Sequence, residues 1–219
     1  MKKRTRIILS VCLAILFVFG VGGYAYVSDY YHADETALEA MAYQADSVQA
    51  KLDGNVTWFV PENPVAGLIF YPGGKVEYTA YAPLLRACAE NGILCALVRM
   101  PGNLAVLDAN AADGLQQEHP EITTWYIAGH SLGGAMAAGY AAAHEKDFDG
   151  LILLAAYSTK DLTGTTLQAL SVYGSEDGVM NRESYEKNRS NLPADTTEVV
   201  LDGGCHAQFG SYGRQALPL

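Results

Sequence analysis

The sequence predicts an α/β fold: a mostly parallel β-sheet with helices on both faces, preceded by one apolar N-terminal helix. Two patterns carry this expectation. Short runs that are apolar throughout, such as GLIFY at 67–71 and LILLAA at 151–156, alternate with segments of helical periodicity. Strands apolar on both faces belong in a parallel sheet that is covered on both sides. Size agrees. A chain of 219 residues fits one domain, or one domain plus an anchor, and 50 % hydrophobic residues with 17 % charged excludes a disordered chain.

Residues 7–27 contain no charge and follow Lys2, Lys3, Arg4 and Arg6. Twenty-one residues at helical rise span about 31 Å, close to the thickness of a bilayer core. The basic flank orients the body outside the cytoplasm. A cleaved signal peptide shares this layout, but Gly20-Val21-Gly22 is a poor version of the small-residue cleavage site. An uncleaved anchor is therefore favoured, and secretion after cleavage is the alternative. A buried core helix would not need the four basic residues. Cys12 follows Val11, too large a residue for lipid attachment. The expected organisation is a signal anchor at 1–27, a stalk at 28–34 and one domain at 35–219.

Within that domain, Leu38, Met41, Ala45, Val48 and Leu52 recur at helical spacing and predict a helix over 35–52. Strands follow at 56–60 and 67–71. A helix at 78–90 stops at Asn91-Gly92, a common C-terminal signal. Then come a strand at 93–98, a helix at 108–119 ended by Pro120, and a strand at 124–128. An Ala/Gly-rich helix at 131–144 is followed by strands at 151–156 and 167–173. A helix at 181–191 precedes a last strand containing 199–201. Cys88 and Cys95 read as small core residues. Three cysteines outside the head give no disulfide framework, and a Cys88–Cys95 bridge needs restrictive geometry.

In such sheets ligands bind at the carboxyl ends of the strands. The 124–128 strand runs into Gly129-His130-Ser131-Leu132-Gly133, a G-x-S-x-G pattern between strand and helix. A serine lifted on that sharp turn exposes its hydroxyl, and glycines on either side give the turn room. The helix N-terminus beneath favours developing negative charge. Such a serine needs a base held by an acid, and the partners follow in the order serine, acid, histidine. The next strand runs into Ser175-Glu176-Asp177, and the last into Asp202-Gly203-Gly204-Cys205-His206. Asp177 competes with Glu176 and with Asp202, which reads as a turn residue. His206 competes with His130, whose side chain is expected to point away from the site. Ser131 as a plain helix N-cap and Cys205 as a nucleophile without its own base are the weaker readings.

These residues resemble the alpha/beta-hydrolase superfamily, nearest to small capless bacterial members related to dienelactone-hydrolase-like proteins. The matching segments are Tyr71-Pro72-Gly73-Gly74-Lys75-Val76, Arg99-Met100-Pro101, Gly129 to Gly134, Tyr173-Gly174-Ser175-Glu176-Asp177 and His206-Ala207-Gln208-Phe209-Gly210. The likeness spans about residues 35–213. It implies Ser131 as nucleophile, Asp177 as acid and His206 as base. One oxyanion donor is the Leu132 N–H. The other comes from the loop after the 67–71 strand, where Gly74 is the choice and Lys75 the next candidate.

Lys75 and Arg99 follow strands at this edge. They fit either a substrate carboxylate or phosphate, or plain ion pairs with Glu77 and Asp108. No histidine or cysteine falls at metal-ligand spacing, and no G-x-G-x-x-G opens a helix, so no metal and no cofactor are expected. The net charge of −10 argues against a nucleic-acid partner. About ten residues separate the strands at 151–156 and 167–173, which leaves no room for a helical lid. The chain ends soon after His206, so it is either truncated or has its sheet face covered by the 35–52 helix.

The expected activity is a membrane-anchored, carboxylesterase-like serine hydrolase acting on small esters. An acyltransferase or peptidase would use the same residues. A non-catalytic binding module on this fold is the rival from another class.

Overall fold

The computed structural model describes residues 3–43 and 47–215, with side chains from residue 9 onward. Lys2 of the basic flank and Ala45 of the predicted 35–52 helix lie outside the described residues. The chain divides into two compact units, Met1–Tyr30 and Tyr31–Leu219.

The first unit is one helix, α1 (Lys3–Ser28). Its segment Leu9–Ser28 is long and apolar enough to cross a membrane. Exposed Leu16, Phe17, Val18 and Phe19 line it without a polar face. By length and composition it is either a membrane span or a signal sequence.

The second unit is an eight-stranded sheet flanked by helices. In chain order its elements are α2 (Glu35–Ala42), β1 (Val48–Asp53), β2 (Val56–Pro61), β3 (Ala66–Tyr71), α3 (Ala82–Glu90), β4 (Ile93–Val98) and β5 (Trp125–His130). They continue with α4 (Leu132–Ala143), β6 (Gly150–Leu154), β7 (Gln168–Gly174), α5 (Arg182–Asn188) and β8 (Thr196–Leu201). The sheet order is β1-β2-β4-β3-β5-β6-β7-β8. β2 pairs antiparallel with β1 and β4, and every other neighbouring pair is parallel. All six residues of β3 are buried, as the unbroken apolar run predicts. On one face Ile69, Ile127 and Leu151 pack with Ala137, Ala138 and Ala141 of α4. On the other, Phe70 and Leu97 pack with Leu85 and Ala89 of α3. Each fully buried large side chain contributes about 1.5–3 kcal/mol. The small residues of α4 let that helix lie close to the central strands.

Two predicted helices are corrected. The segment 35–52 is a short helix followed by a strand. α2 ends at Ala42, and β1 pairs with β2 from Val48 opposite Pro61 to Asp53 opposite Val56. Gly54 at φ 54° turns the chain in the two-residue loop between them. Val48, Ala50 and Leu52 fit a period of two as well as a helical face, and the partner strand decides between them. α2 packs on α3, so no long helix lies across the sheet in the way expected.

The segment 108–119 is a run of turns with a short 3-10 stretch at Gln116–Glu118. Gly114 at φ 83° interrupts helical backbone. The buried Tyr71 hydroxyl donates to the Ala109 carbonyl at 3.0 Å and accepts the Ala112 N–H at 2.9 Å. The Tyr140 hydroxyl donates to Asp113 at 2.7 Å. These tertiary bonds satisfy the backbone in a form that helix would break.

Part of the predicted stalk also belongs to the folded body. Tyr31 bridges Val76 in parallel, and the Asp34 N–H donates to the Ser211 carbonyl at 2.9 Å. Between β6 and β7, residues 155–167 contain turns and no helix, in line with the expected lack of a cap.

Candidate functional site

Ser131 sits between the end of β5 and the start of α4, with φ 52° and ψ −121°. That backbone is strained for a residue with a side chain, and surrounding contacts hold it. The Ser131 N–H donates to the Leu154 carbonyl of β6 at 2.9 Å, while the Ser131 carbonyl accepts the Ala135 N–H at 3.1 Å as α4 begins. Glycines permit the tight path. A Cβ on Gly133 would fall inside van der Waals contact with the carbonyl oxygens of Tyr71 and Pro72, and one on Gly129 would lie 2.5 Å from the Gly133 backbone. Ser131 is partly exposed.

The loops after β7 and β8 close on each other. A Cβ on Gly174 would overlap the Gly204 carbonyl, so the two strand ends approach backbone to backbone. The Glu176 N–H donates to the Gly204 carbonyl at 2.9 Å, and the Gly203 N–H donates to Ser175 Oγ at 2.8 Å. This zipper sets Asp177 against His206, whose Nδ1 lies 2.8 Å from Asp177 Oδ2. Asp177 Oδ1 accepts the N–H groups of Val179 and Met180 at 2.9 and 2.8 Å. Burial pushes the Asp177 carboxyl up, but the hydrogen bonds from His206, Met180 and Val179 outweigh it and hold the pKa below its ordinary value. Asp177 and His206 are 6 % and 3 % exposed, whereas Glu176 and Asp202 are exposed to solvent. Asp177 is thus the acid of the three that bonds to a histidine.

His206 Nε2 is buried and has no hydrogen-bond partner among the described residues. Ser131 Oγ is therefore not bonded to it here, a separation that unliganded sites commonly show. A cleft of about 860 Å³ opens beside His206 and is lined by Asp34, Glu176, Cys205, Ser211 and Arg214 among others.

The loop after β3 brings its backbone to the elbow. A Cβ on Gly74 would lie 2.9 Å from Leu132 Cδ2. The neighbouring donors are engaged: the Gly73 N–H bonds to Tyr81 Oη at 3.0 Å and the Lys75 N–H to the Asn103 carbonyl at 2.8 Å. No bond of the Gly74 N–H occurs among the described residues. Lys75 has a left-handed backbone with φ 59° and accepts the Tyr31 N–H at 2.8 Å. Arg99 is exposed, with its guanidinium 6.0 Å from the Tyr78 ring centre. Glu77, suggested as an ion-pair partner, faces His32 at 3.5 Å and the Ala33 N–H at 3.1 Å. Among the described residues, no cluster of three or more His, Cys, Asp or Glu side chains is arranged to hold a metal ion.

His130 departs from the expectation that it points away. Its ring is 1 % exposed and packs 4.5 Å from the His206 ring, with Nδ1 2.7 Å from Tyr81 Oη. Tyr81 lies in the 3-10 turn Tyr78–Tyr81 that leads into α3, and only the fold brings that turn against the end of β5.

The sequence profile described as the alpha/beta hydrolase family matches residues 67–216. A search of curated proteins found no match. Among solved structures, a Thermus thermophilus protein superposes with a TM-score of 0.59 at 16 % identity, covering 73 % of this chain and 91 % of that one. A predicted CIB-like hydrolase from Thermoplasma acidophilum gives a TM-score of 0.59 at 16 % identity, covering 75 % and 91 %. At that identity the likeness concerns the fold.

Proposed function

Because the chain belongs to the alpha/beta hydrolase family, we propose that it is a serine hydrolase acting on small carboxylic esters. The observation that carries this reading is the buried Asp177–His206 pair, 2.8 Å apart, on the loops beside a strained Ser131 elbow. Ser131 Oγ attacks the ester carbonyl carbon and passes its proton to His206 Nε2, the nitrogen that Asp177 leaves unoccupied. Asp177 holds Nδ1–H and stabilises the imidazolium. The oxyanion takes hydrogen bonds from the N–H groups of Leu132 and Gly74. Collapse expels the alcohol, which takes the proton from His206. Water, activated by the same imidazole, then releases the acid and restores Ser131.

The lack of a helix at 155–167 supports an open site and small, water-accessible esters. Lys75 lies on the loop that carries Gly74, and we assign it a contact with anionic groups of the substrate. Arg99, farther out over Tyr78, is the weaker member of that pair. Loss of preference for anionic esters in Lys75→Ala is the expected result, and unchanged preference removes the assignment.

The decisive experiment is labelling with a fluorophosphonate probe. The wild type should label and turn over short-chain esters, and Ser131→Ala should do neither. A folded wild type that does not label refutes the hydrolase reading. For location, α1 supports a single-pass anchor with the body outside the cytoplasm. Full-length protein should fractionate with membranes, and recovery of the intact N-terminus in the medium overturns this.

A further inference from the structure

His130 is a buried histidine that the proposed chemistry leaves unused, and its surroundings are specific. The Gly73 N–H donates to Tyr81 Oη at 3.0 Å, so that oxygen acts as an acceptor. The Tyr81 hydroxyl proton must then find its own acceptor. The one such atom bonded to it among the described residues is His130 Nδ1, at 2.7 Å. With the Tyr81 hydroxyl donating to Nδ1, the ring proton sits on Nε2, which is buried and has no hydrogen-bond partner among the described residues; the opposite tautomer leaves the Tyr81 hydroxyl proton unpaired instead. Tyr81 is buried, and burial keeps its hydroxyl protonated. The other face of the network touches the proposed base: the His130 and His206 rings lie 4.5 Å apart, and Phe209 packs on His130 at 5.6 Å. Gly73 is moulded to the pair, since a Cβ there would lie 2.6 Å from Tyr81 Oη and 2.7 Å from His130 Nδ1.

We propose that Tyr81 and His130 are a positioning pair that holds the Gly73-Gly74 loop and the His206 ring in fixed relation across the Ser131 elbow. This rests on the hydrolase reading for its effect on rate. Tyr81 ties down the Gly73 N–H, so the next N–H, that of Gly74, is presented to the oxyanion. His130 supplies the acceptor that orients Tyr81 and the neutral flat surface against which His206 packs. A second imidazolium beside His206 would oppose its protonation during attack. His130 faces His206, Asp177 and Tyr81, and burial ahead of the nearby His206 pushes its pKa down to about 3, so the ring stays neutral.

The test uses the full-length protein in detergent. Imidazole ¹⁵N NMR, with His130→Asn to assign the signal, should show His130 as the neutral Nε2–H tautomer from pH 5 to 9. Tyr81→Phe should lower kcat on a short-chain ester about tenfold with KM within about twofold, less than the loss from deleting an oxyanion donor outright. His130→Asn retains an acceptor near the Nδ1 position and should keep more activity than His130→Leu, at matched thermal stability. An Nδ1–H tautomer or a protonated ring overturns the proposal, as does Tyr81→Phe with wild-type kcat. If wild type hydrolyses no ester while the NMR shows the predicted tautomer, the hydrolase reading fails and the hydrogen-bonded pair stands.

Discussion

Replacing Asp177 by Asn removes a charge while nearly keeping the shape, and the surrounding bonds set the outcome. Asp177 Oδ1 accepts two backbone N–H groups, from Val179 and Met180, and Oδ2 accepts His206 Nδ1–H. If the Asn carbonyl takes the Oδ1 place, its NH₂ faces His206 Nδ1 and moves the ring proton to Nε2. In the proposed mechanism that nitrogen receives the Ser131 proton. If the amide flips, its NH₂ faces two N–H donors. The first arrangement is the better bonded, and a wrong tautomer of this kind lowers kcat about 10⁴-fold. Stability falls less. Hydrogen bonds to an ionised acceptor contribute roughly 1.5–3 kcal/mol against about 1 for neutral ones. Weakening two or three of them should cost about 1–3 kcal/mol, and each kcal/mol shifts Tm by roughly 2–4 °C at this size. The acid limb adds a second signature. A carboxyl held below its ordinary pKa contributes stability that is present above about pH 4 and lost as pH falls through the folded value. Asp177→Asn should lack that loss. Ester turnover, fluorophosphonate labelling and melts at pH 7 and below pH 4 measure all three effects. A folded Asp177→Asn protein with kcat within tenfold of wild type would refute the orienting role.

Other perturbations probe the scaffold. Gly133→Ala drives a Cβ into the Tyr71 and Pro72 carbonyls, where backbone must shift, and should cost about 3 kcal/mol in denaturant unfolding; an unchanged midpoint contradicts the close approach. Tyr71→Phe leaves the buried Ala112 N–H without its acceptor and should cost about 1–3 kcal/mol, with faster amide exchange over 108–113. His130 is neutral when folded and binds a proton when unfolded, so acid favours the unfolded chain. Its pKa of about 3 predicts that unfolding free energy falls by up to about 1.4 kcal/mol per pH unit between pH 6.5 and about 3. His130→Asn should flatten that slope between pH 4.5 and 6, and an identical slope would show that His130 does not cause it.

The elements best read from the sequence are those whose pattern has one structural solution. β3 is apolar at every position and is buried throughout. The 93–98 and 151–154 runs are buried except at Ile93 and Ile152, which are half-buried. The segments misread had two solutions. Residues 48–52 fit both a helical stripe and an alternating strand, and pairing with β2 selected the strand. Residues 108–119 had helix-compatible composition, but Tyr71 and Tyr140, distant in sequence, bind their backbone and side chains in turns. At the site, Ser131 and its glycines were legible because the elbow is local: its clashes lie within a few residues and at the adjoining β3 end.

The sequence by itself determined which strand ends carry the candidate residues, since Ser131, Asp177 and His206 follow three separate strands in order. It also determined the apolar head, because bilayer length and charge flanks are one-dimensional quantities. The tertiary structure decided which acid meets His206. Glu176 and Asp177 are neighbours, and only the zipper between the β7 and β8 loops turns the Asp177 carboxylate inward, where two backbone N–H groups and His206 satisfy it. It decided the place of His130 as well, because a hydrogen bond spanning 49 residues to Tyr81 exists only after β3, β5 and the helix between them have packed. Local clashes and burial patterns are written along the chain, whereas pairings between distant polar groups arise only where the fold brings them together and removes water.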